Sequence, residues 1–200
     1  MIIYGDRQSG NCYKVQLTAD LLALDYQWQD VDILAGDTKQ ADFLTQNPNG
    51  KIPFVVLNDG RTLSESNAII NFLASGSALY PTDRYQQAKI QQWQFFEQYS
   101  HEPYIAVARF INKYLGLPQD KMSEYQAKQQ GGHKALTVMA EQLSKTPYLT
   151  GSNMTTADIC LFAYTHVAHE GGFDLAEYPA LLTWIDRIQA LDNFSAMPSN

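Results

Sequence analysis

Asn47-Pro48-Asn49-Gly50-Lys51-Ile52-Pro53 is followed by Ser64-Glu65-Ser66-Asn67-Ala68-Ile69-Ile70, and these two runs decide the fold. The first reads as a loop that halts at a proline and enters a strand, Phe54-Val55-Val56-Leu57. The second reads as a strand that ends on an acid and a hydroxyl and passes at once into an apolar helix, residues 66–75. Between them, Asn58-Asp59-Gly60 marks a tight turn into a further strand at Arg61–Leu63. Upstream, Ile2-Ile3-Tyr4 predicts a short strand, Gly5 to Gly10 a polar turn, and Asn11 to Leu24 a helix with Val15, Ala19 and Leu22 on one face. Gln27–Val31 predicts a second strand, Ala35–Thr38 a loop and Ala41–Gln46 a short helix. The order βαβαββα implies a mixed sheet covered by helices.

The remainder carries no strand pattern. Arg84 to Leu115 predicts one long helix, with Ile90, Trp93 and Phe96 on one side and a kink or interruption at Pro103. Met122 to Leu143 predicts another, weakened at Gly131-Gly132. Leu181, Trp184, Ile185, Ile188 and Leu191 mark a later apolar stripe. One helix start is sharply specified. Thr155 and Asp158 form a capping-box pair, with Met154 and Ile159 as its hydrophobic staple. Ile159 to Tyr164, apolar nearly all round, predicts a buried central helix.

The chain has 200 residues, 45% of them hydrophobic, so it can build a packed core in two domains. Its net charge is -7 and no Lys/Arg block occurs, which argues against a nucleic-acid partner. An anionic ligand therefore needs local devices rather than the overall field. Two distant cysteines, Cys12 and Cys160, make neither a disulfide framework nor a metal motif. No apolar run reaches membrane-spanning length and the N-terminus lacks a signal-peptide core. A cytoplasmic protein without a membrane partner is expected.

Tyr4-Gly5-Asp6-Arg7-Gln8-Ser9-Gly10-Asn11-Cys12-Tyr13-Lys14-Val15, the proline run and the Glu-Ser run together resemble the cytosolic glutathione S-transferases, in their bacterial, serine-type (delta/theta/zeta-like) form. Gly151-Ser152-Asn153-Met154-Thr155-Thr156-Ala157-Asp158 is similar to that family's helical-domain signature. The resemblance implies an α/β thioredoxin-like N-terminal domain at 1–79, a linker at 80–84 and an all-α domain at 85–200. It also implies glutathione as cosubstrate, a hydrophobic electrophile as second substrate, no metal, and a homodimer using the helices at 66–75 and 84–115.

Each candidate residue has a physical task under this reading. Ile52-Pro53, read as a cis peptide, would offer the Ile52 backbone to the cysteinyl part of glutathione like an added strand. Ser66 and the helix N-terminus suit a carboxylate, and Glu65 suits an ammonium group: the two charges of a γ-glutamyl end. Both residues equally suit an ordinary helix cap. Lys39 and Lys51 are candidates for the glycine carboxylate, because Thr38 stands where serine-type relatives carry a histidine. Ser9 is the catalytic candidate. A thiol of pKa near ~8.5 is largely protonated at neutral pH, and a hydroxyl donating to sulfur beside a positive helix end favours thiolate. Tyr4 is a rival hydroxyl, expected instead to pack.

Ser9-x-x-Cys12 also has a redox-motif spacing, which makes Cys12 a possible redox thiol as well as a small buried hydrophobe. Tyr104 and Arg109 are candidates for the electrophile pocket, drawn from the aromatic group Phe95, Phe96, Tyr99, Tyr104 and Phe110. His166 and His169 lack a third metal ligand. The implied activity is conjugation of glutathione thiolate to an electrophile. The alternatives are a glutathione-dependent disulfide reductase or peroxidase and a non-catalytic binding module.

Overall fold

A computed structural model describes residues 1–198. Two compact units emerge, one of Met1–Ser77 together with the chain from Leu191 onward, the other Ala78–Ala190. The sequence reading assigns everything beyond residue 85 to the helical part. The structure instead joins the last described residues to the first unit.

The first unit runs β1 (Ile2–Gly5), α1 (Gly10–Leu21), β2 (Gln27–Asp30), α2 (Ala41–Gln46), β3 (Phe54–Val56), β4 (Thr62–Ser64) and α3 (Ser66–Ala74). The four strands form one sheet in the order β2-β1-β3-β4. β1 lies parallel to β2 and antiparallel to β3, and β3 lies antiparallel to β4. This is the expected thioredoxin-like mixed sheet. The β3–β4 hairpin closes where Leu57 N–H donates to Arg61 O at 2.8 Å and Gly60 takes a φ of 84°, a conformation that favours glycine.

Alternation divides the sheet's two faces. Ile3 and Val55, paired across β1 and β3, are fully buried, as are Val15 and Leu17 of α1 and Ile69 and Ile70 of α3. On the other face Phe54 packs with Phe43 and Val31, joined by Tyr4, Ile52 and Val56. Tyr4 stacks on Phe54 at 4.4 Å between ring centres, so this tyrosine packs as expected. Residues 12–19 of α1 are all buried, polar ones included. Part of that cover is the tail: Tyr13 Oη donates to Ser195 O at 2.7 Å, Ser195 Oγ hydrogen-bonds Asp20, and Gln8 Nε2 donates to Pro198 O at 2.5 Å.

In the second unit the predicted 84–115 helix is α4 (Arg84–Phe96), a π-helical segment (Glu97–His101), α5 (Glu102–Arg109) and a second π-helical segment (Phe110–Tyr114). Pro103, which has no N–H to give the preceding turn, sits in the first turn of α5, just after the first π segment. α6 (Met122–Leu143) is unbroken at its glycine pair. A Cβ at Gly131 would lie 2.2 Å from the Tyr104 ring, and one at Gly132 would lie 2.3 Å from the Phe173 ring. The glycines thus serve close ring packing rather than weaken the helix.

α7 (Thr156–Thr165) is buried at every residue, as its composition predicts, and α8 (Pro179–Gln189) follows. The capping box at its start is present: Thr155 N–H donates to Asp158 Oδ2 at 2.9 Å. Asp158 Oδ1 also accepts from Leu149 N–H at 2.9 Å. Met154 and Ile159 of the staple are both buried. No helix among the described residues is long and apolar enough to cross a membrane.

Candidate active site

Sheet register brings three loops to one edge. Tyr4 pairs with Phe54, and Phe54 pairs with Ser64. The turn after β1, the loop before β3 and the entry to α3 therefore leave the sheet side by side. They carry Ser9, Ile52-Pro53 and Glu65-Ser66 respectively.

Ser9 occupies the cap position of α1, in extended conformation (φ −74°, ψ 123°). Its N–H donates to Asp6 O at 3.0 Å and its carbonyl accepts from Tyr13 N–H at 2.9 Å. Its side chain makes no capping hydrogen bond to the helix. Ile52-Pro53 is a cis peptide, in keeping with the functional reading of this run. Pro53 is buried and Ile52 half-buried.

Glu65 takes φ 69° and ψ 109°, in the left-handed region that a non-glycine residue rarely adopts. Such strain concentrates at functional positions. Its carboxylate is exposed and accepts from Asn49 Nδ2 at 3.4 Å. Ser66, the first residue of α3, is buried, and its Oγ donates to Asn11 Oδ1 at 3.2 Å. Lys39 and Lys51 are exposed. The Lys39 ammonium lies beside Gly50, where a Cβ would meet it at 3.4 Å, so both lysines belong to the same patch of the 39–51 region. Asn47 Nδ2 donates to Lys51 O at 2.6 Å and helps hold this loop. Thr38 is buried.

Two sequence candidates, Cys12 and Arg109, are buried. Cys12 has no exposed surface and its Sγ packs against Gly5, where a Cβ would come within 2.8 Å. Burial pushes its thiol up to about 12, a rise that the hydrogen bonds from Ser9 and the Asp6 backbone only partly offset. A sealed, protonated thiol is a poor nucleophile, so the small-hydrophobe role prevails over the redox one. Arg109 is 2% exposed, and its Nε contacts Glu170 Oε2 at 2.5 Å. Lys113 Nζ meets the other Glu170 oxygen at 2.7 Å. Arg109 thus anchors the helical unit and presents no guanidinium to a pocket. Tyr104 is half-buried against Gly131.

Two residues escaped the sequence reading. Asn11 Oδ1 accepts from Lys14 Nζ at 2.8 Å as well as from Ser66, and Lys14 is fully buried. Their i,i+3 spacing in the first turns of α1 was the available signal. No group of three metal-ligating side chains occurs among the described residues.

Residues 8–75 match the family model "Glutathione S-transferase, N-terminal domain", and residues 93–192 match "Glutathione S-transferase, C-terminal domain". A glutathione S-transferase crystal structure from Pseudomonas fluorescens Pf-5 is 56% identical, covers 99% of this chain and 98% of its own, and superposes with a TM-score of 0.97. Glutathione transferase URE2P6 from Phanerochaete chrysosporium, solved with oxidized glutathione, is 25% identical over 96% of this chain and 91% of its own, with a TM-score of 0.84. The disulfide-bond oxidoreductase YfcG of Escherichia coli K12 is 30% identical over 90% of this chain and 86% of its own length. With its thioredoxin-like sheet, its helical unit and both domain models matched, the chain belongs to the glutathione S-transferase family.

Proposed function

We propose that the protein binds glutathione along the sheet edge and conjugates its thiolate to a hydrophobic electrophilic small molecule. The convergence of Ser9, the cis Ile52-Pro53 peptide and the strained Glu65-Ser66 entry on one edge carries the reading. The Ile52 backbone pairs with the cysteinyl unit. Ser66 and the N-terminus of α3 take the γ-glutamyl carboxylate, and Glu65 takes its ammonium. Lys39 and Lys51 meet the glycine carboxylate. Ser9 donates to the sulfur at the N-terminus of α1, which favours thiolate over thiol. Lowering that pKa by about two units is worth roughly 2.7 kcal/mol.

Family membership also supports a homodimer. Phe72 on α3 is 48% exposed and, in the helical unit, Phe95 and Tyr99 are 62% and 79% exposed. Exposed aromatic surface of this kind is typical of subunit contacts.

The E. coli relative's name favours a second reading, glutathione-dependent disulfide reduction. The burial of Cys12 assigns the redox thiol in that case to bound glutathione itself. One titration tests the core of both: thiolate absorbance of bound glutathione against pH, wild type beside Ser9→Ala. A depressed thiol pKa that rises in the variant supports Ser9 as activator. Binding with an undisturbed pKa in both removes that role and leaves disulfide exchange or simple binding.

A further inference from the structure

We propose that Lys14 is a positioning residue for the γ-glutamyl carboxylate, acting through Ser66; this rests on the glutathione reading above. Lys14 has no exposed surface. Taking an ammonium group out of water is costly unless its surroundings repay it, and an apolar side chain would fill the same volume without that cost. Its placement is specific. Nζ donates to Asn11 Oδ1 at 2.8 Å and to Ser66 Oγ at 3.5 Å. Ser66 Oγ donates to the same Asn11 oxygen at 3.2 Å. One amide oxygen thus gathers a buried cation and the hydroxyl that opens α3.

The arrangement has two states for the hydroxyl proton. As described, Ser66 gives it to Asn11. A carboxylate arriving at the N-terminus of α3 competes for that proton. When Ser66 turns its O–H to the anion, its oxygen keeps the bond it already accepts from Lys14 Nζ, and Asn11 Oδ1 keeps its own bond from Lys14. Lys14 then polarises the hydroxyl and supplies positive charge one hydroxyl away from the anion, inside a low-dielectric site where charge acts strongly. In a chain of net charge -7, a buried local cation of this kind offsets the unfavourable overall field.

The test is a calorimetric cycle of protein and ligand. Wild type and Lys14→Met are titrated with glutathione and with γ-aminobutyryl-cysteinyl-glycine, which lacks only the glutamyl α-carboxylate. Lys14→Met is expected to weaken glutathione about tenfold and to leave the decarboxylated ligand within about twofold. Equal weakening of both ligands, or of neither, overturns the assignment while leaving the glutathione site standing. A wild type that binds both ligands equally removes the carboxylate from Ser66 and overturns the underlying reading too. Should Lys14→Met fail to fold, the Nζ resonance of 15N-labelled wild type serves instead. It is expected to shift with glutathione and not with the decarboxylated ligand, and an identical response to the two overturns the proposal.

Discussion

Trp184 Nε1 donates to Asp158 Oδ1 at 3.0 Å, and neither side chain has any exposed surface. The bond ties the start of α7 to α8, while the same carboxylate holds Leu149 N–H and Thr155 N–H. Asp158→Ala would strand three buried N–H donors, each costing about 1–3 kcal/mol, and would remove the acceptor of the Thr155 hydroxyl. Partial relaxation and water entry reduce the sum, so the variant is expected to lose about 3–5 kcal/mol of stability. Urea denaturation followed by tryptophan fluorescence checks this.

Asp158 also predicts a pH dependence. Burial raises its carboxyl from 3.8 to about 6, although its hydrogen bonds pull the other way. The folded state therefore holds the proton more tightly than the unfolded chain. That contribution is fully present below the ordinary carboxylate range and is lost as pH rises through about 6. Asp158→Asn, which cannot titrate, removes it. Moving from pH 7.5 to 5.0, the wild type should gain about 1 kcal/mol relative to Asp158→Asn. An unchanged difference across that window would show that the carboxylate is charged in the core at both pH values.

Gly132 shows packing overriding helix propensity. Replacing it with alanine would favour an isolated helix by about 1 kcal/mol. Here the new methyl would meet the Phe173 ring at 2.3 Å, and that ring is fully buried. Gly132→Ala is expected to destabilise by about 1–3 kcal/mol, with part of the loss recovered in the double variant Gly132→Ala/Phe173→Leu. Melting temperatures of Gly132→Ala, Phe173→Leu and the double variant beside wild type measure the coupling.

What local pattern encodes was legible in the sequence, and what distant contacts decide was not. The predicted helices at 41–46 and 122–143 match the observed bounds. The Asp59-Gly60 turn and the Thr155–Asp158 box also carry short-range signals. Pro103 signals a kink or interruption in the 84–115 helix, and the π-helical segment at Glu97–His101 lies just before it, whereas the second, at Phe110–Tyr114, leaves no mark on the apolar stripe. Arg109 and Cys12 looked available for chemistry because their residue types allow it. Glu170 lies 61 residues from Arg109, and Cys12 is closed off against Gly5 of the neighbouring strand, contacts between elements that no residue type announces. The spacing of Lys14 from Asn11 is legible in the sequence, but its burial is not, because α1 is covered by α3 and by the tail.

Glu65 separates stability from binding. Its φ of 69° costs an L-residue about 1–3 kcal/mol, and glycine bears no such cost. Glu65→Gly is expected to raise stability by about 1 kcal/mol while weakening glutathione binding. Glu65→Gln, which keeps the strain and loses the charge, should weaken binding without the gain. Paired thermal melts and ligand titrations on the two variants distinguish conformation from charge.

The return of residues 191–198 to α1 has a consequence for biosynthesis. Tyr13 leaves the ribosome early, yet the carbonyl that receives its hydroxyl, Ser195 O, is translated after the whole helical unit. The unit that carries the candidate site therefore begins before the helical unit and gains its last cover after it. Until residues 191–198 are translated, the first helix lacks the part of its cover that they supply.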